Sequence, residues 1–160
     1  IAEAAGVPSD ITIDVTKNFH AVEHRIEKVD TIDGVVYYND SKGTNTDASI
    51  KAIKAMSRPT LLIAGGYDKN SPYDDFIESF DGKIKELVLI GATAEKIKAC
   101  ALEHGFTNIK MADSLEEAVS ICKADSENGD AVLLSPACAS WDMFKSYEQR
   151  GRLFKDLVKG

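Results

Sequence analysis

Residues 87–134 read LVLIGATAEKIKACALEHGFTNIKMADSLEEAVSICKADSENGDAVLL, and the architecture follows from this stretch. Apolar runs of strand length alternate in it with longer segments whose apolar residues recur at helical spacing. The predicted strands are 87–90, 108–111 and 131–134, and the predicted helices are 93–104 and 114–123. Ser114 with Glu117 three residues later matches a capping box, which marks the start of the second helix. Such alternation predicts parallel strands joined by helical crossovers.

The sequence before and after this stretch extends the alternation. β-Favouring residues between 26 and 38 are interrupted by Asp33 and Gly34, which predicts a hairpin. A helix over 47–56, a strand over 60–64 and a last helix over 140–158 are also predicted. We therefore expect an α/β fold: a Rossmann-like three-layer domain with helices on both faces, whose mostly parallel sheet of about six strands has an antiparallel edge hairpin.

Composition excludes several classes of protein. The 160 residues include 19 Lys and Arg against 26 Asp and Glu, a formal charge of -7, which argues against a nucleic-acid binder. The longest apolar runs are far shorter than the roughly 20 residues that span a bilayer, so no membrane partner is expected. Cys100, Cys122 and Cys138 lack C-x-x-C spacing and indicate reduced thiols of a cytoplasmic protein, with neither disulfides nor a zinc site.

The first residues have a different pattern from the rest. Residues 1–5 resemble the last turn of a helix closed by Gly6, and Ser9 is a candidate cap of a short helix that ends near Thr16. We expect residues 1–22 to be the tail and linker of a preceding domain, and residues 23–160 to form the α/β domain.

The histidines offer one metal-site alternative. His20, Glu23 and His24 match the H-x-x-E-H pattern of inverted zinc peptidases. The segment is short, adjoins a strand and has no evident third ligand, so a solvated connector is the favoured interpretation and no metal ligands are predicted. His104 lies at a predicted helix end, where a structural role is expected.

Ligands of open α/β sheets bind at the carboxyl ends of the strands, so the loops there are the candidate site. Residues 39–45, Asn-Asp-Ser-Lys-Gly-Thr-Asn, bring hydroxyls, an ammonium group and N–H groups of a helix start together, which suits phosphate or carboxylate. The alternative is an ordinary polar loop with Thr44 or Asn45 as helix cap. Gly65 and Gly66 permit positive φ or close approach of a ligand, and Lys69 adds a charge, although a simple turn also explains them.

Other nucleotide and nucleophile motifs do not occur. The sequence contains neither G-x-G-x-x-G nor G-x-x-x-x-G-K-[ST], so the phosphates of a nucleoside triphosphate would have to be held outside this chain. Residues 135–140, Ser-Pro-Ala-Cys-Ala-Ser, present hydroxyls after a strand but lack the G-x-S-x-G elbow and a downstream His. A nucleophilic serine or Cys138 is therefore not predicted.

Several of these segments together resemble one family. They are His24-Arg25-Ile26-Glu27, the Asn39–Asn45 segment, Gly65-Gly66 with Lys69, Leu134–Ser140, Phe144-Lys145, Glu148-Gln149-Arg150-Gly151 and Phe154. The combination is similar to the C-terminal domain of the Mur ligase family, in its branch that adds D-glutamate to a peptidoglycan precursor. The match extends from about residue 19 to the end, and residues 1–18 resemble the close of the family's central domain.

The resemblance implies the activity of a cytoplasmic, ATP-dependent carboxylate-amine ligase that requires Mg²⁺. ATP would phosphorylate the carboxylate of UDP-N-acetylmuramoyl-L-alanine, and the amine of D-glutamate would attack the acyl phosphate. The N-terminal and central domains of the same protein would be its partners, and the central domain would hold the phosphates and Mg²⁺. The isolated 160-residue chain is then expected to be inactive.

The resemblance also implies roles for individual residues. Arg25 and Asp40 match nucleotide-binding positions, Asp40 through ribose hydroxyls, and Lys42 matches a catalytic lysine near the transferred phosphate. The positions that match D-glutamate-binding residues are Thr44 and Lys69 for one carboxylate and Ser140 and Tyr147 for the other.

Two positions depart from the family pattern. Tyr147 stands where a Phe is familiar, and Tyr67-Asp68 replaces an Asp-Gly before Lys69. Arg150 is expected to serve helix packing or interdomain contact. The alternatives that stay open are another Mur or folylpolyglutamate-type ligase domain and a noncatalytic module that binds a nucleotide or an amino acid.

Overall fold

A computed structural model describes residues 6–17 and 22–160 of the chain. The helix turn expected at residues 1–5 and the first histidine of the H-x-x-E-H pattern, His20, lie outside these ranges. The strands are β1 (Glu27–Ile32), β2 (Val35–Asn39), β3 (Thr60–Gly65), β4 (Ile84–Ile90), β5 (Ile109–Met111) and β6 (Ala131–Leu134). The helices are α1 (Ser9–Lys17), α2 (Thr46–Ala55), α3 (Asp74–Glu78), α4 (Ala94–Glu103), α5 (Leu115–Asp125) and α6 (Tyr147–Lys159).

The six strands form one sheet in the order β1-β2-β6-β3-β4-β5. Every neighbouring pair is parallel except β1 with β2, which form the predicted antiparallel hairpin at the edge. The residues of β3 and β6 are all buried, which explains their continuous apolar runs. The expected fold class is therefore confirmed.

Two apolar cores cover the two faces of the sheet. On one face, the side chains of α2, α3 and α4 pack on β3 and β4 around Leu62, Phe76 and Ile97. On the other face, α5 and α6 pack on the sheet around Leu115 and Phe154. This three-layer arrangement leaves the strand ends free to carry a site.

Local capping chemistry sets two helix starts as predicted. The side chain of Asn45 accepts a hydrogen bond from the Ala48 N–H at 2.9 Å and begins α2. Ser114 accepts from the Glu117 N–H at 3.1 Å, and the Glu117 carboxylate reaches back to the Asp113 N–H at 2.7 Å.

The predicted start of the last helix at residue 140 is wrong. The chain makes one turn there, in which the Ser140 carbonyl accepts from the Phe144 N–H at 2.7 Å, and then leaves the helical conformation. Ser146, in an extended conformation, caps the true start by accepting from the Gln149 N–H at 3.3 Å. A second difference is α3, a five-residue helix that the sequence did not predict.

Within the described ranges, no helix combines the length and the apolar character that crossing a membrane requires.

Candidate functional site

The candidate site lies where β2, β3 and β6 end. These strands are parallel, so the loops that follow Asn39, Gly65 and Leu134 meet at one edge of the sheet. Backbone hydrogen bonds tie the loops together: the Tyr67 N–H donates to the Ala139 carbonyl at 2.9 Å. At Gly66, φ is +144° and an added Cβ would lie 2.4 Å from the Ala139 carbonyl oxygen, so this approach requires glycine.

Two neighbouring clefts open at this edge. The first, which we call the cationic cleft, measures about 430 Å³ and is lined by Arg25, Lys42, Thr44, Asn45, Asp47, Ala48, Lys51 and Tyr147. The second, the Lys69 cleft, measures about 250 Å³ and is lined by Thr44, Lys69, Ala139, Ser140, Trp141, Ser146, Tyr147 and Glu148. Thr44 and Tyr147 line both clefts, so a ligand in one lies next to a ligand in the other.

The structure thus brings six of the seven predicted site residues to these clefts. Arg25 and Lys42 line the cationic cleft, and Lys69 and Ser140 line the Lys69 cleft. Three cations face one acidic side chain, Asp47, in the cationic cleft, which suits a polyanion.

Lys69 reaches its cleft in spite of the unusual residues before it. Its ammonium group donates to the Thr44 carbonyl at 3.4 Å and lies 5.3 Å from the centroid of the Trp141 ring. The Asp68 carboxylate turns away and pairs with Lys96 at 3.3 Å. Asp68 therefore leaves the Lys69 charge available to a carboxylate ligand.

Tyr147 is placed by the start of α6. It is the first residue of this helix, and the first N–H groups of a helix have no acceptor within it. Its carbonyl accepts a 2.8 Å hydrogen bond from the Ser41 hydroxyl, which fixes the helix start against the loop after β2. The Lys42 ammonium group lies 5.7 Å from the centroid of the Tyr147 ring. A Tyr in place of Phe keeps the backbone N–H in the same position.

Asp40 is the predicted site residue that lies beneath the clefts. It is 2% exposed, and its carboxylate accepts from the Ser135 hydroxyl at 2.7 Å and from the Ile26 N–H at 3.1 Å. Burial raises the pKa of this carboxyl group, against the opposing effect of those hydrogen bonds. In this structure Asp40 anchors the chain beside Arg25, and its predicted contact with ribose hydroxyls stays a prediction.

The segment that presents Arg25 has a strained backbone. His24 and Ile26, on either side of Arg25, have φ of +64° and +46°. Besides the bond from Ile26 to Asp40, the Lys42 N–H donates to the His24 carbonyl at 3.0 Å. These two hydrogen bonds hold the strained turn, and the loop that carries Lys42 is thereby joined to Arg25.

Arg150, expected to serve helix packing or interdomain contact, is buried within this domain. Its side chain is 1% exposed; the guanidinium donates to the Ser41 hydroxyl at 3.0 Å, to the Ser41 carbonyl at 2.9 Å and to the Cys138 carbonyl at 3.3 Å. Burial lowers its pKa to about 10. The sequence signal was present, because Arg150, Phe154 and Val158 follow one another at four-residue steps along the buried side of α6.

His24 also has an unpredicted role. Its buried ring accepts a hydrogen bond at Nδ1 from the Asn39 side chain at 2.9 Å, and burial lowers its pKa. Asn39 in turn donates to the Gly151 carbonyl at 3.3 Å. The ring therefore packs between the hairpin and α6, so the solvated connector expected for this segment is wrong at His24, which is 2% exposed.

Cys138 is poorly suited to nucleophilic attack. Its thiol is buried, lies 3.2 Å from the Tyr73 hydroxyl and 3.3 Å from the Thr93 hydroxyl, and burial raises its pKa.

A larger cleft of about 670 Å³ lies elsewhere, between α2 and α3 near the start of β4. It is lined by Lys54 and Lys83 together with Asp75, Glu78 and Asp81, so its charges are mixed. The cationic cleft is rich in one sign of charge and lies at the carboxyl ends of parallel strands, so the two strand-end clefts are the better candidates for a ligand site.

Comparison with known proteins shows the family of this chain. Residues 24–138 match the family described as "Mur ligase, glutamate ligase domain". Among curated proteins, the UDP-N-acetylmuramoylalanine--D-glutamate ligase of Lachnospira eligens is 60% identical over 158 residues, and that of Thermoanaerobacter sp. (strain X514) is 54% identical over 160 residues. Each alignment covers 99% of this chain and 35% of the relative. The chain therefore spans about a third of the length of the relatives it matches.

Solved structures share the fold. The UDP-N-acetylmuramate-alanine ligase MurC of Thermotoga maritima has a TM-score of 0.66 at 12% identity, over 99% of this chain and 35% of that one. FolC of E. coli, in complex with ADP, has a TM-score of 0.58 at 19% identity, over 87% of this chain and 33% of that one.

Proposed function

This chain belongs to the Mur ligase family, and from that membership we infer that it forms the C-terminal domain of an ATP-dependent ligase that joins D-glutamate to UDP-N-acetylmuramoyl-L-alanine. Residues 23–160 would be this domain, and residues 1–22 the tail and linker of the central domain. Relatives of that name support the proposal, with identities of up to 60% over nearly the whole chain. Residues 6–17, the described part of this tail, contain the short helix α1.

One observation carries the proposal: the cationic cleft and the Lys69 cleft share Thr44 and Tyr147. A ligase must hold a phosphorylated carboxylate and an attacking amine side by side. The cationic cleft suits the charge that develops during phosphoryl transfer, and the Lys69 cleft suits an amino acid with carboxylate groups. Their shared wall would place the two reactants next to each other.

The Lys69 cleft offers two separate groups of donors for the two carboxylates of D-glutamate. Lys69 lies beside Thr44, with its ammonium group 3.4 Å from the Thr44 carbonyl oxygen. The same cleft is lined by Ser140 and by Tyr147, the first residue of α6. An ammonium group gives a charge-assisted hydrogen bond, whereas a hydroxyl and N–H groups give neutral ones. Loss of Lys69 should therefore weaken D-glutamate binding more than loss of Ser140.

The cationic cleft fits part of a nucleotide. When bound, ATP supplies the phosphoryl group that activates the carboxylate, and Mg²⁺ neutralises phosphate charge. Arg25 would contact the nucleotide and Lys42 would stabilise charge on the transferred phosphate. The sequence has no glycine-rich phosphate loop, so we propose that the central domain holds most of the triphosphate and the metal. FolC in complex with ADP, a structural neighbour, is consistent with nucleotide use in this fold.

Steady-state kinetics of the intact ligase tests these assignments. Lys42→Ala should lower kcat by a factor on the order of 10² or more with a smaller effect on the KM for D-glutamate. Lys69→Ala should raise the KM for D-glutamate about tenfold to a hundredfold, because a charge-assisted hydrogen bond is lost. Ser140→Ala should raise the KM for D-glutamate less than Lys69→Ala does.

The matched control is Lys54→Ala, which removes an exposed lysine from the larger cleft between α2 and α3. It should leave kcat and the KM for D-glutamate unchanged. The site assignment is wrong if Lys42→Ala and Lys69→Ala behave like this control, or if Lys69→Ala alters only the KM for ATP. Failure of the wild-type ligase to use D-glutamate would refute the proposed substrate itself.

A further inference from the structure

A second group of chemically active side chains lies outside both clefts, where α3 packs against α4. Asp74 and Glu78 are four residues apart on α3, and Cys100 and His104 are four residues apart at the end of α4. Residues at this spacing lie on the same side of a helix, so each helix contributes a pair to the same small region. The proposed ligase activity uses none of the four.

The possible ligand atoms of these residues are close together. His104 Nε2 lies 3.8 Å from Asp74 Oδ1 and 3.8 Å from Glu78 Oε1. Cys100 Sγ lies 3.8 Å from Nδ1, the other nitrogen of the same ring. One ligand atom each from Asp74, Cys100 and His104 can be chosen so that all three lie within 4.8 Å of one another. Tetrahedral zinc ligands at bond lengths of about 2.0 to 2.3 Å are separated by roughly 3.3 to 3.8 Å. Small side-chain movements would therefore bring these atoms to metal-binding distance.

A hydrogen bond to the backbone orients the His104 ring. Its Nδ1 lies 2.9 Å from the Cys100 carbonyl oxygen, and because a carbonyl only accepts, Nδ1 carries the hydrogen. The lone pair of a neutral ring is then at Nε2, the atom that faces Asp74 and Glu78. A metal ion bound at Nε2 would therefore lie between the imidazole ring and the two carboxylates. Metal-binding histidines commonly have this second hydrogen bond.

We propose that Asp74, Cys100 and His104 form a binding site for a divalent transition metal of the zinc class, with Glu78 available as a fourth ligand. Sulfur and imidazole ligands select zinc over magnesium, so this site is distinct from the Mg²⁺ of the proposed reaction. Binding breaks the S–H bond of Cys100, forms a metal–sulfur bond and releases one proton to the buffer.

Direct metal binding to the purified 160-residue chain tests the proposal. Zn²⁺ titrated calorimetrically should bind with a stoichiometry of one, and Co²⁺ should give the thiolate charge-transfer and visible bands of a four-coordinate site. Cys100→Ser and His104→Gln should each weaken Zn²⁺ binding more than about tenfold. Cys100→Ser should also abolish the charge-transfer band, and circular dichroism should establish that both variants are folded.

Two control variants distinguish a specific metal site from nonspecific electrostatic attraction of Zn²⁺. Glu103→Gln removes a neighbouring negative charge without removing a proposed ligand, and Cys122→Ala removes a buried thiol on α5. Both should bind Zn²⁺ as the wild type does. The proposal is overturned if the wild type gives no thiolate band with Co²⁺, or if the ligand and control variants bind Zn²⁺ equally. Because the readout is binding, its outcome does not depend on the proposed ligase activity.

Discussion

The guanidinium group of Arg150 donates a 2.9 Å hydrogen bond to the backbone carbonyl of Ser41, 109 residues away in the chain. With its hydrogen bonds to the Ser41 hydroxyl and the Cys138 carbonyl, it joins α6 to the loops that follow β2 and β6. All of these acceptors are neutral oxygens. Arg150 therefore acts as a buried cross-link beneath both clefts, and the Ser41 hydroxyl extends this link to the first residue of α6, Tyr147.

Replacing Arg150 with Met should lower the free energy of unfolding by on the order of 2 to 4 kcal/mol, because the buried carbonyls of Ser41 and Cys138 lose their donor. Arg152→Met is the matched control, since Arg152 is on the same helix but exposed. Its effect should stay within about 0.5 kcal/mol. Urea unfolding of the two variants measures the difference, and equal losses of stability would contradict the cross-link.

Gly151→Ala should destabilise the chain, although alanine is normally better than glycine in a helix by about 1 kcal/mol. An added Cβ at Gly151 would lie 2.3 Å from His24 Nδ1, closer than atoms can approach. The ring must then move and lose its hydrogen bond from Asn39. We expect a cost of about 1 to 3 kcal/mol in chemical denaturation.

A double-mutant cycle is the control for this effect. In a His24→Ala background the atoms that crowd position 151 are gone, so Gly151→Ala should there be neutral or stabilising. The coupling free energy should reach at least about 1 kcal/mol. The same cost in both backgrounds would show that glycine is required for a different reason.

His24 should make the protein less stable in mild acid. Burial lowers its pKa in the folded state, whereas in the unfolded chain it stays near the ordinary value of 6.5. Below that value the unfolded state binds more protons than the folded state. The contribution of the neutral His24 ring to the free energy of unfolding is therefore complete above pH 6.5 and is lost as the pH falls through the lowered folded pKa. Urea unfolding between pH 7 and about 5 should show this loss in the wild type and a smaller one in His24→Gln.

Protonation of Asp40 changes the stability in the opposite direction, so the wild type must be compared with His24→Gln. Its raised folded pKa means that the folded state binds more protons just above the unfolded value of 3.8, so this group alone stabilises the fold as the pH falls in that range. Asp40 is present in both the wild type and His24→Gln, so its effect cancels in the difference. Identical pH profiles of the two proteins would contradict a titrating role for His24.

The fold was largely predictable because its signals are local. The residues of β3 and β6 are all buried and, apart from Thr60, lack polar side chains, which is typical of strands buried on both faces. Ser114 and Asn45 begin their helices through side chains that bond within three residues. The start of α6 was missed because Ser140 and Ser146 both resemble helix caps, and the turn after Ser140 does not continue.

The site was predictable in part, for a related reason. Lys42, Thr44 and Lys69 lie in short segments that follow strand ends, and strand order alone brings those segments together. The spacing along α6 indicates that Arg150 is buried, but not what it contacts. Its partner Ser41, and Gly151 beside His24, are more than a hundred residues away in the chain, and no local pattern specifies them.

The final prediction uses Trp141, the single tryptophan of the chain, as a reporter of the Lys69 cleft. Its ring is 66% exposed, lines that cleft and lies 5.3 Å from the Lys69 ammonium group. A D-glutamate carboxylate that pairs with Lys69 would draw the cation away from the indole and cover part of the ring. We expect a saturable change in tryptophan fluorescence when the chain is titrated with D-glutamate.

Lys69→Met keeps the length of the side chain and removes its charge, so the D-glutamate concentration at half-saturation should rise about tenfold to a hundredfold. Lys54→Met, in the larger cleft between α2 and α3, should leave the titration unchanged. L-Alanine has one carboxylate fewer and should give a weaker response at equal concentration, because one group of donors stays empty. A wild-type response that is the same for L-alanine, or that survives Lys69→Met unaltered, would mean that the fluorescence change reports something other than the pairing of a substrate carboxylate with Lys69.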